Sequence, residues 1–336
     1  MYDISDAVTQ WLDEGSPVHV AQVVATRGFS SRDPGASLAW TDDGRRAGQL
    51  VPAMDELLVA AGAQLDGHLA ELTLTDSDAV AAGLSCGGVA TVFVQNAAAF
   101  PPDTWPRLQR HEPICLVSRI VGAEPATTTL HTPADVRRSG QVGGLDVPRL
   151  FARGVSVTAL TSDGERSFPV VALWPTTDLL VVGEGAIASA LADSAALLGW
   201  TVTVSEDLDT VTERAAGLTA ADAFVVLSHD RATDVPALAA ALSGDAGYVG
   251  ALGSRHTQAA RREGLEERGV PADLLARIHG PAGLDIDAHT PAEIAVSIVA
   301  EVVMTRAGRS GGRGGSISGR EGPVHTAGVQ APPPRH

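Results

Sequence analysis

The chain of 336 residues contains no lysine; every basic side chain is arginine or histidine. That excludes Schiff-base chemistry and the lysine of a Walker-type phosphate loop. The bias belongs to a composition rich in alanine, glycine, valine and arginine. Cysteine is nearly as scarce, with Cys86 and Cys115 the whole complement. No Cys-x-x-Cys, His-x-x-x-His or similar spacing supports a closed metal site, so no metal ligand set is expected. No apolar run approaches the length that spans a bilayer. Met1–Asp6 is neither basic nor followed by an apolar core of signal length, so a cytoplasmic location with reduced thiols and no membrane contact is expected. Internal repeats are absent. A formal charge of −16 leaves no cationic face for a phosphate backbone, which argues against nucleic acid as a partner and fits a solubilising surface.

Apolar content of 44% against 19% charged residues suits packed domains, and the length suggests two of them. Residues 3–14 place Ile4, Ala7, Val8, Trp11 and Leu12 at helical spacing. Val18–Ala25 and Ser37–Thr41 read as strands, the second closed by the hairpin-like Asp42-Asp43-Gly44. A helix is expected over Met54–Leu65 and a strand over Ala90–Gln95. Residues 112–174 are β-rich in pattern, with strands at Ile114–Ile120 and Val155–Leu160. From 178 to Arg306 strand and helix alternate, as in an α/β domain. The Gly-, Arg- and Pro-rich stretch after Ala307 has almost nothing apolar to bury and is expected to be disordered. The expected fold class is α/β: a Rossmann-like parallel-sheet domain over 177–307, preceded by a smaller α+β domain over 1–110 and a β-rich connecting region over 111–176, with a tail over 308–336.

The most informative stretch is Leu179–Ala188. It sets an apolar run before a Gly-x-Gly-x-x-Ala turn, with a helix-periodic run after it. A second β-branched run, Trp200–Val204, then leads to Ser205-Glu206-Asp207. This is the strand–glycine turn–helix–strand–acid order of a dinucleotide-binding unit. Gly183 permits the tight turn, and Gly185 lets backbone amides approach a pyrophosphate at the helix N-terminus. Glu206 or Asp207 would accept from a ribose hydroxyl and so favour NAD over NADP. The alternative is that both glycines only close a strand–helix connection.

Three further strand-end segments carry polar groups. In Tyr248–His256, an apolar strand runs into Gly253, Ser254 can cap the next helix, and Arg255 adds a cation near its positive end. Anion binding and plain capping remain equally open there. In Ile278–Ile286, His279 and Asp285 either reach a ligand or form a structural pair; the following Thr290-Pro291-Ala292-Glu293 has the form of a capping box. His229-Asp230 follows the apolar strand Ala223–Leu227, where a histidine can shuttle a proton or simply stabilise a loop. In the first half, Cys86 lies in the glycine-rich Gly83–Gly88 loop, which either exposes its sulfur or buries a small apolar side chain. Cys115, inside Ile114–Val117, reads as core.

Together these segments resemble the XdhC/CoxI family, accessory proteins for maturation of xanthine dehydrogenase and related molybdenum hydroxylases. The resemblance rests on Tyr248–Arg255 and Ile278–Ile286, supported by Thr290–Ala295, Ser228-His229-Asp230, Gly83–Gly88 and Gly28–Arg32. It implies an accessory protein that binds molybdenum cofactor, assists its sulfuration, and delivers it to a xanthine dehydrogenase-type hydroxylase, without turnover of its own. A cysteine desulfurase is an implied second partner and a homodimer an implied state. The cofactor would lie between the two domains, its phosphate at the turns Gly183–Ala188 and Gly253–Arg255, countered by Arg32 and Arg255, with Cys86 the remaining thiol near the metal. One element departs: where the family commonly has Ser-Gly-Gly-Cys, this chain has Val51-Pro52-Ala53-Met54, and a thioether supplies no thiolate. Glu184 also stands in the first glycine turn, where it would oppose an anion. Two other readings stay open: an NAD(P)-dependent oxidoreductase, and a degenerate paralogue acting as scaffold or regulator.

Overall fold

The computed structural model describes residues 1–28, 34–81, 87–122, 124–138, 140–228 and 230–307. They form two compact units, one of Met1–Phe151 with Val155–Pro175, the other of Ala152–Gly154 with residues 176–307.

The first unit is built on two antiparallel sheets. One contains β1 (Val18–Arg27), β2 (Ser37–Thr41), β3 (Arg46–Gly48), β4 (His68–Leu74) and β5 (Gly88–Asn96), in the order β3-β2-β1-β5-β4. The other contains β6 (Ile114–Val121), β7 (Thr127–His131), β10 (Val157–Asp163) and β11 (Arg166–Leu173), in the order β10-β11-β6-β7. A two-residue-per-strand hairpin, β8 (Gln141–Val142) with β9 (Leu145–Asp146), lies between them in sequence. The helices of this unit are α1 (Ser5–Asp13), α2 (Pro52–Ala61), α3 (Asp76–Ala81), α4 (Thr104–Gln109), α5 (Pro133–Val136) and α6 (Val147–Phe151).

Strand alternation sorts the side chains of β1 onto two cores. Val18, Val20 and Val24 join Val8 and Trp11 of α1, Leu108 of α4 and Ile114, Leu116 and Leu173 of the second sheet. Ala21 joins Leu38, Trp40, Val92 and the α2 residues Met54 and Leu58 on the other face. The helix expected over 54–65 starts two residues earlier, because Pro52 takes the first turn, where its missing N–H costs nothing, and it tightens into a 3₁₀ turn at Gly62–Leu65. The β-rich stretch 112–174 contributes the second sheet, so with it the first unit is no smaller than the second.

The second unit is a five-stranded parallel sheet of β12 (Asp178–Val182), β13 (Thr201–Ser205), β14 (Ala223–Val226), β15 (Tyr248–Ala251) and β16 (Ile278–His279). Its helices are α7 (Ala186–Ala196), α8 (Leu208–Gly217), α9 (Arg231–Ser243), α10 (Arg255–Glu267), α11 (Ala272–Leu275) and α12 (Pro291–Arg306). Both sheet faces are covered, which is why the strands read as unbroken apolar runs. Leu180, Val182, Phe224 and Val226 pack with α8 and α9, while Leu179, Val181, Ala223 and Val225 pack with α7 and α12. The order is β13-β12-β14-β15-β16. The chain therefore leaves β12 to one side and returns on the other, opening a crevice at the carboxyl ends of β12 and β14, where open α/β sheets bind ligands.

Among the described residues no helix is long and apolar enough to cross a membrane.

Candidate functional site

The carboxyl ends of the five parallel strands carry the glycine turn, the acids and the capped helix starts singled out above. The glycines of the first turn differ in what requires them. Gly183 has φ +109°, and a Cβ there would stand 2.7 Å from the Ser228 backbone nitrogen. It is needed for close approach of the β12 turn to the end of β14. Gly185 also has a positive φ, +108°, but faces open space. It is the N-cap of α7, and no side chain caps that helix. Backbone amides at the start of α7 are thus left for water or a ligand. Glu184 beside it is exposed.

At the end of β13 the two acids separate in role. Asp207 caps α8, accepting from the Thr210 hydroxyl and, at 3.0 Å, from the Thr210 N–H, and this bonding holds its carboxyl below the usual range. Glu206 is exposed and makes no hydrogen bond or ion pair among the described residues. Asp230 is likewise a cap: its carboxylate accepts from the Ala232 N–H at 3.0 Å and the Thr233 hydroxyl at 3.1 Å. Ser254 caps α10 through the Thr257 N–H at 3.2 Å. Arg255, first residue of α10, is exposed and without a polar partner among the described residues. Gly253, at φ +133°, sits against Thr257 and Arg261, where a Cβ would be crowded at 3.2–3.3 Å.

Beneath these turns lies a buried pair that no motif announces. Arg261 of α10 and Asp234 of α9 are 2% and 1% exposed. The Arg261 Nε and Nη2 reach one Asp234 oxygen at 2.8 and 2.7 Å. Its Nη1 donates to the Leu252 carbonyl at 2.5 Å and its Nη2 to the Ser228 carbonyl at 2.7 Å. One guanidinium therefore fixes the ends of β14 and β15 from below. Arg-Arg at 261–262 in a highly charged helix gave no sign that the first is inside.

His279 does not pair with Asp285. Its Nδ1 lies 3.0 Å from Oε1 of Glu301, on α12, and its ring stacks on Tyr248 with centroids 4.6 Å apart. Glu301 Oε2 accepts from the Tyr248 hydroxyl at 2.6 Å and the Gly283 N–H at 2.7 Å. Burial works to raise the Glu301 carboxyl, but these donors outweigh it and hold it below its ordinary value. Burial, then the Glu301 charge, pushes the Tyr248 phenol far up, so it remains a donor. Glu301, missed by motif reading, had a signal: it is the lone acid within the apolar run Ile294–Met304.

Arg32, Cys86 and His229 lie outside the described residues. Met54, where the resemblance implies a cysteine in relatives, is fully buried against Trp40, Leu58 and Val92. Asp55 next to it accepts from the Leu50 and Val51 N–H groups and fixes the turn before α2. Cys115 is buried, and burial pushes its thiol up to about 12. No group of three or more His, Cys, Asp or Glu gathers as a metal site among the described residues.

Residues 179–302 match the XdhC Rossmann domain, and residues 11–64 match the XdhC and CoxI family. The uncharacterised protein YqeB of Escherichia coli (strain K12) is 32% identical over 153 residues, covering 40% of this chain and 28% of that protein. The molybdenum cofactor insertion chaperone PaoD of the same organism is 30% identical over 140 residues, covering 39% of this chain and 41% of that one. The chain thus spans less than half the length of these two curated relatives. Among solved structures, a xanthine dehydrogenase from Bacillus halodurans is similar with a TM-score of 0.54 at 18% identity, covering 92% of this chain and 97% of that one. At that identity the likeness is one of fold.

Proposed function

The chain belongs to the XdhC and CoxI family, and on that premise we propose that it binds molybdenum cofactor and assists its insertion into a molybdenum hydroxylase of the xanthine dehydrogenase type. The observation that carries this is the similarity to the cofactor insertion chaperone PaoD. The cofactor does its chemistry in the client enzyme; this chain has to bind, orient and shield it. Gly185, with open space before the uncapped start of α7, and the unpaired cation of Arg255 support a place for its phosphate. Position 54 does not fit a thiol ligand, since Met54 is core, so Cys86 is left as the thiol of the reading. Sulfuration of the cofactor with a cysteine desulfurase, a cytoplasmic location and a homodimer are further parts of this proposal. The exposed Val296 and Val303 of α12 and Leu197 after α7 favour the last.

The test is the ligand that co-purifies. The protein is purified anaerobically, oxidised so that molybdopterin becomes fluorescent, and assayed for metal and nicotinamide in the same sample. Stoichiometric pterin, lost on Arg255→Ala or Cys86→Ala, is the expected result. No pterin after incubation with free cofactor overturns the proposal. The second reading, an NAD(P)-dependent oxidoreductase, is favoured by one observation, the free carboxylate of Glu206 at the tip of the second strand. Saturable NAD binding without pterin, lost on Glu206→Ala, would select it.

A further inference from the structure

We propose that Glu301 and Tyr248 are positioning residues, Glu301 keeping His279 in its Nδ1–H tautomer and Tyr248 restraining the ring, so that Nε2 accepts a hydrogen bond from an N–H or O–H group of the bound ligand. This rests on the cofactor-binding reading and names a chemical group that the ligand must present.

The argument starts from Glu301. Two donors, the Tyr248 hydroxyl and the Gly283 N–H, reach its Oε2 at 2.6 and 2.7 Å, and His279 Nδ1 lies 3.0 Å from its Oε1. A carboxylate so surrounded is ionised, and an ionised carboxylate only accepts. The hydrogen between it and His279 therefore sits on Nδ1, and in the neutral ring Nε2 holds a bare lone pair. Tyr248, packed flat against the imidazole at an interplanar angle of 27°, restrains the ring. A pairing that served packing alone would leave Nε2 buried or bonded. Instead the His279 side chain is 24% exposed, and Nε2 has no hydrogen-bond partner among the described residues. A carboxylate behind one ring nitrogen is the arrangement by which proteins orient the other for use.

His279 thus complements the rest of the strand-end edge. The α7 and α10 starts and Arg255 offer donors and positive potential, whereas Nε2 offers an acceptor. A ligand that uses both carries an anionic part and a separate N–H or O–H donor. The amide and amino groups of a pterin ring are donors of that class.

The experiment is nitrogen NMR on uniformly ¹⁵N-labelled full chain, with His279→Gln to assign the ring among ten histidines. At mildly alkaline pH, where free imidazole is neutral, His279 is expected to show a protonated Nδ1 and a bare Nε2. Added 6-hydroxymethylpterin, which has ring donors and no phosphate, should shift Nε2 upfield; inorganic phosphate should not. His279→Gln should weaken pterin binding by about three- to tenfold. Glu301→Gln should shift the ring toward the Nε2–H form, while Tyr248→Phe, which keeps the Glu301 acceptor, should preserve the tautomer and separates orientation from packing. An Nε2–H tautomer in the unaltered protein overturns the proposal. So does a pterin that moves backbone amides but leaves His279 unchanged. If the pterin moves no resonance, the cofactor reading itself falls, and this proposal with it.

Discussion

Replacing Arg261 by methionine removes a charge 2% exposed and leaves behind a carboxylate 1% exposed. Breaking one side of such a pair costs about 3–5 kcal/mol, because the partner charge stays buried and uncompensated. The Leu252 and Ser228 carbonyls lose their donors as well, at about 1–3 kcal/mol for each that water cannot reach. The sum is a large share of the roughly 5–15 kcal/mol that stabilises a typical domain. With two units in the chain, an unfolding curve alone does not say which strands have loosened. Hydrogen exchange resolved by peptide is the assay. Protection should fall in β14, β15, α9 and α10 and stay unchanged in the first unit. The double variant Asp234→Leu/Arg261→Met removes both charges and should recover much of the loss. A single-variant loss below about 1 kcal/mol, or a double variant no better than the single, would refute the assignment of this pair as the fastening of the two strand ends.

Other perturbations have equally definite signs. Gly183→Ala should lower the unfolding midpoint further than Gly185→Ala, since the first meets backbone at 2.7 Å and the second only the roughly 1–3 kcal/mol of its backbone conformation; the reverse order would count against the reading. Glu301 has a folded value below its ordinary one, so its stabilising contribution is present above the unfolded value of about 4.3 and is lost as pH falls through the folded value. Urea midpoints measured from neutral to acid pH should therefore fall less steeply for Glu301→Gln, and parallel curves would contradict this. Met54→Cys, in a Cys86→Ala background, should cost about 1–3 kcal/mol through lost packing and should leave both native thiols unreactive to a disulfide reagent, since Met54 and Cys115 are both buried. Rapid modification of the native protein would mean position 54 is reachable.

Segments whose pattern is local are legible in the sequence alone. The 178–306 alternation, the Gly183–Ala188 turn and the Thr290–Glu293 capping box all appear as elements, because each follows from spacing or from one residue's backbone preference. The strand β4 was not legible. His68–Leu74 alternates weakly and only Leu74 is fully buried, so its apolar pattern is thin, and only pairing with β5 defines it. The site split in the same way. Motifs located the strand-end loops, but not which polar groups in them are already engaged. Asp207 and Asp230 look like ligand groups in sequence and act as helix caps in space, while at Ser254 the sequence left capping and anion binding open and the structure shows the cap. Arg261 and Asp234 are separated by 27 positions, and only the packing of α9 on α10 makes them partners.

What remains at the strand ends after those engagements, among the described residues, is a small and mixed set of charges: Arg255 for an anion, Glu184, Glu206 and Asp285 against it. A chain of net charge −16 gives an anionic ligand no long-range help, so this local balance decides affinity. Glu184 flanks Gly185 at the start of α7, where the phosphate of the proposed ligand would sit. Two unit charges about 6 Å apart at a surface repel by about 0.7–1.4 kcal/mol for an effective dielectric of roughly 40–80. Glu184→Gln should therefore tighten binding of a phosphate-bearing cofactor by about three- to tenfold at low salt, with the gain shrinking as ionic strength rises. A phosphate-free pterin should bind both forms alike. Equal tightening for both ligands would place the effect in the fold of the turn and not in its charge. No change for either would put the phosphate elsewhere, with α10 and Arg255 the remaining cationic start.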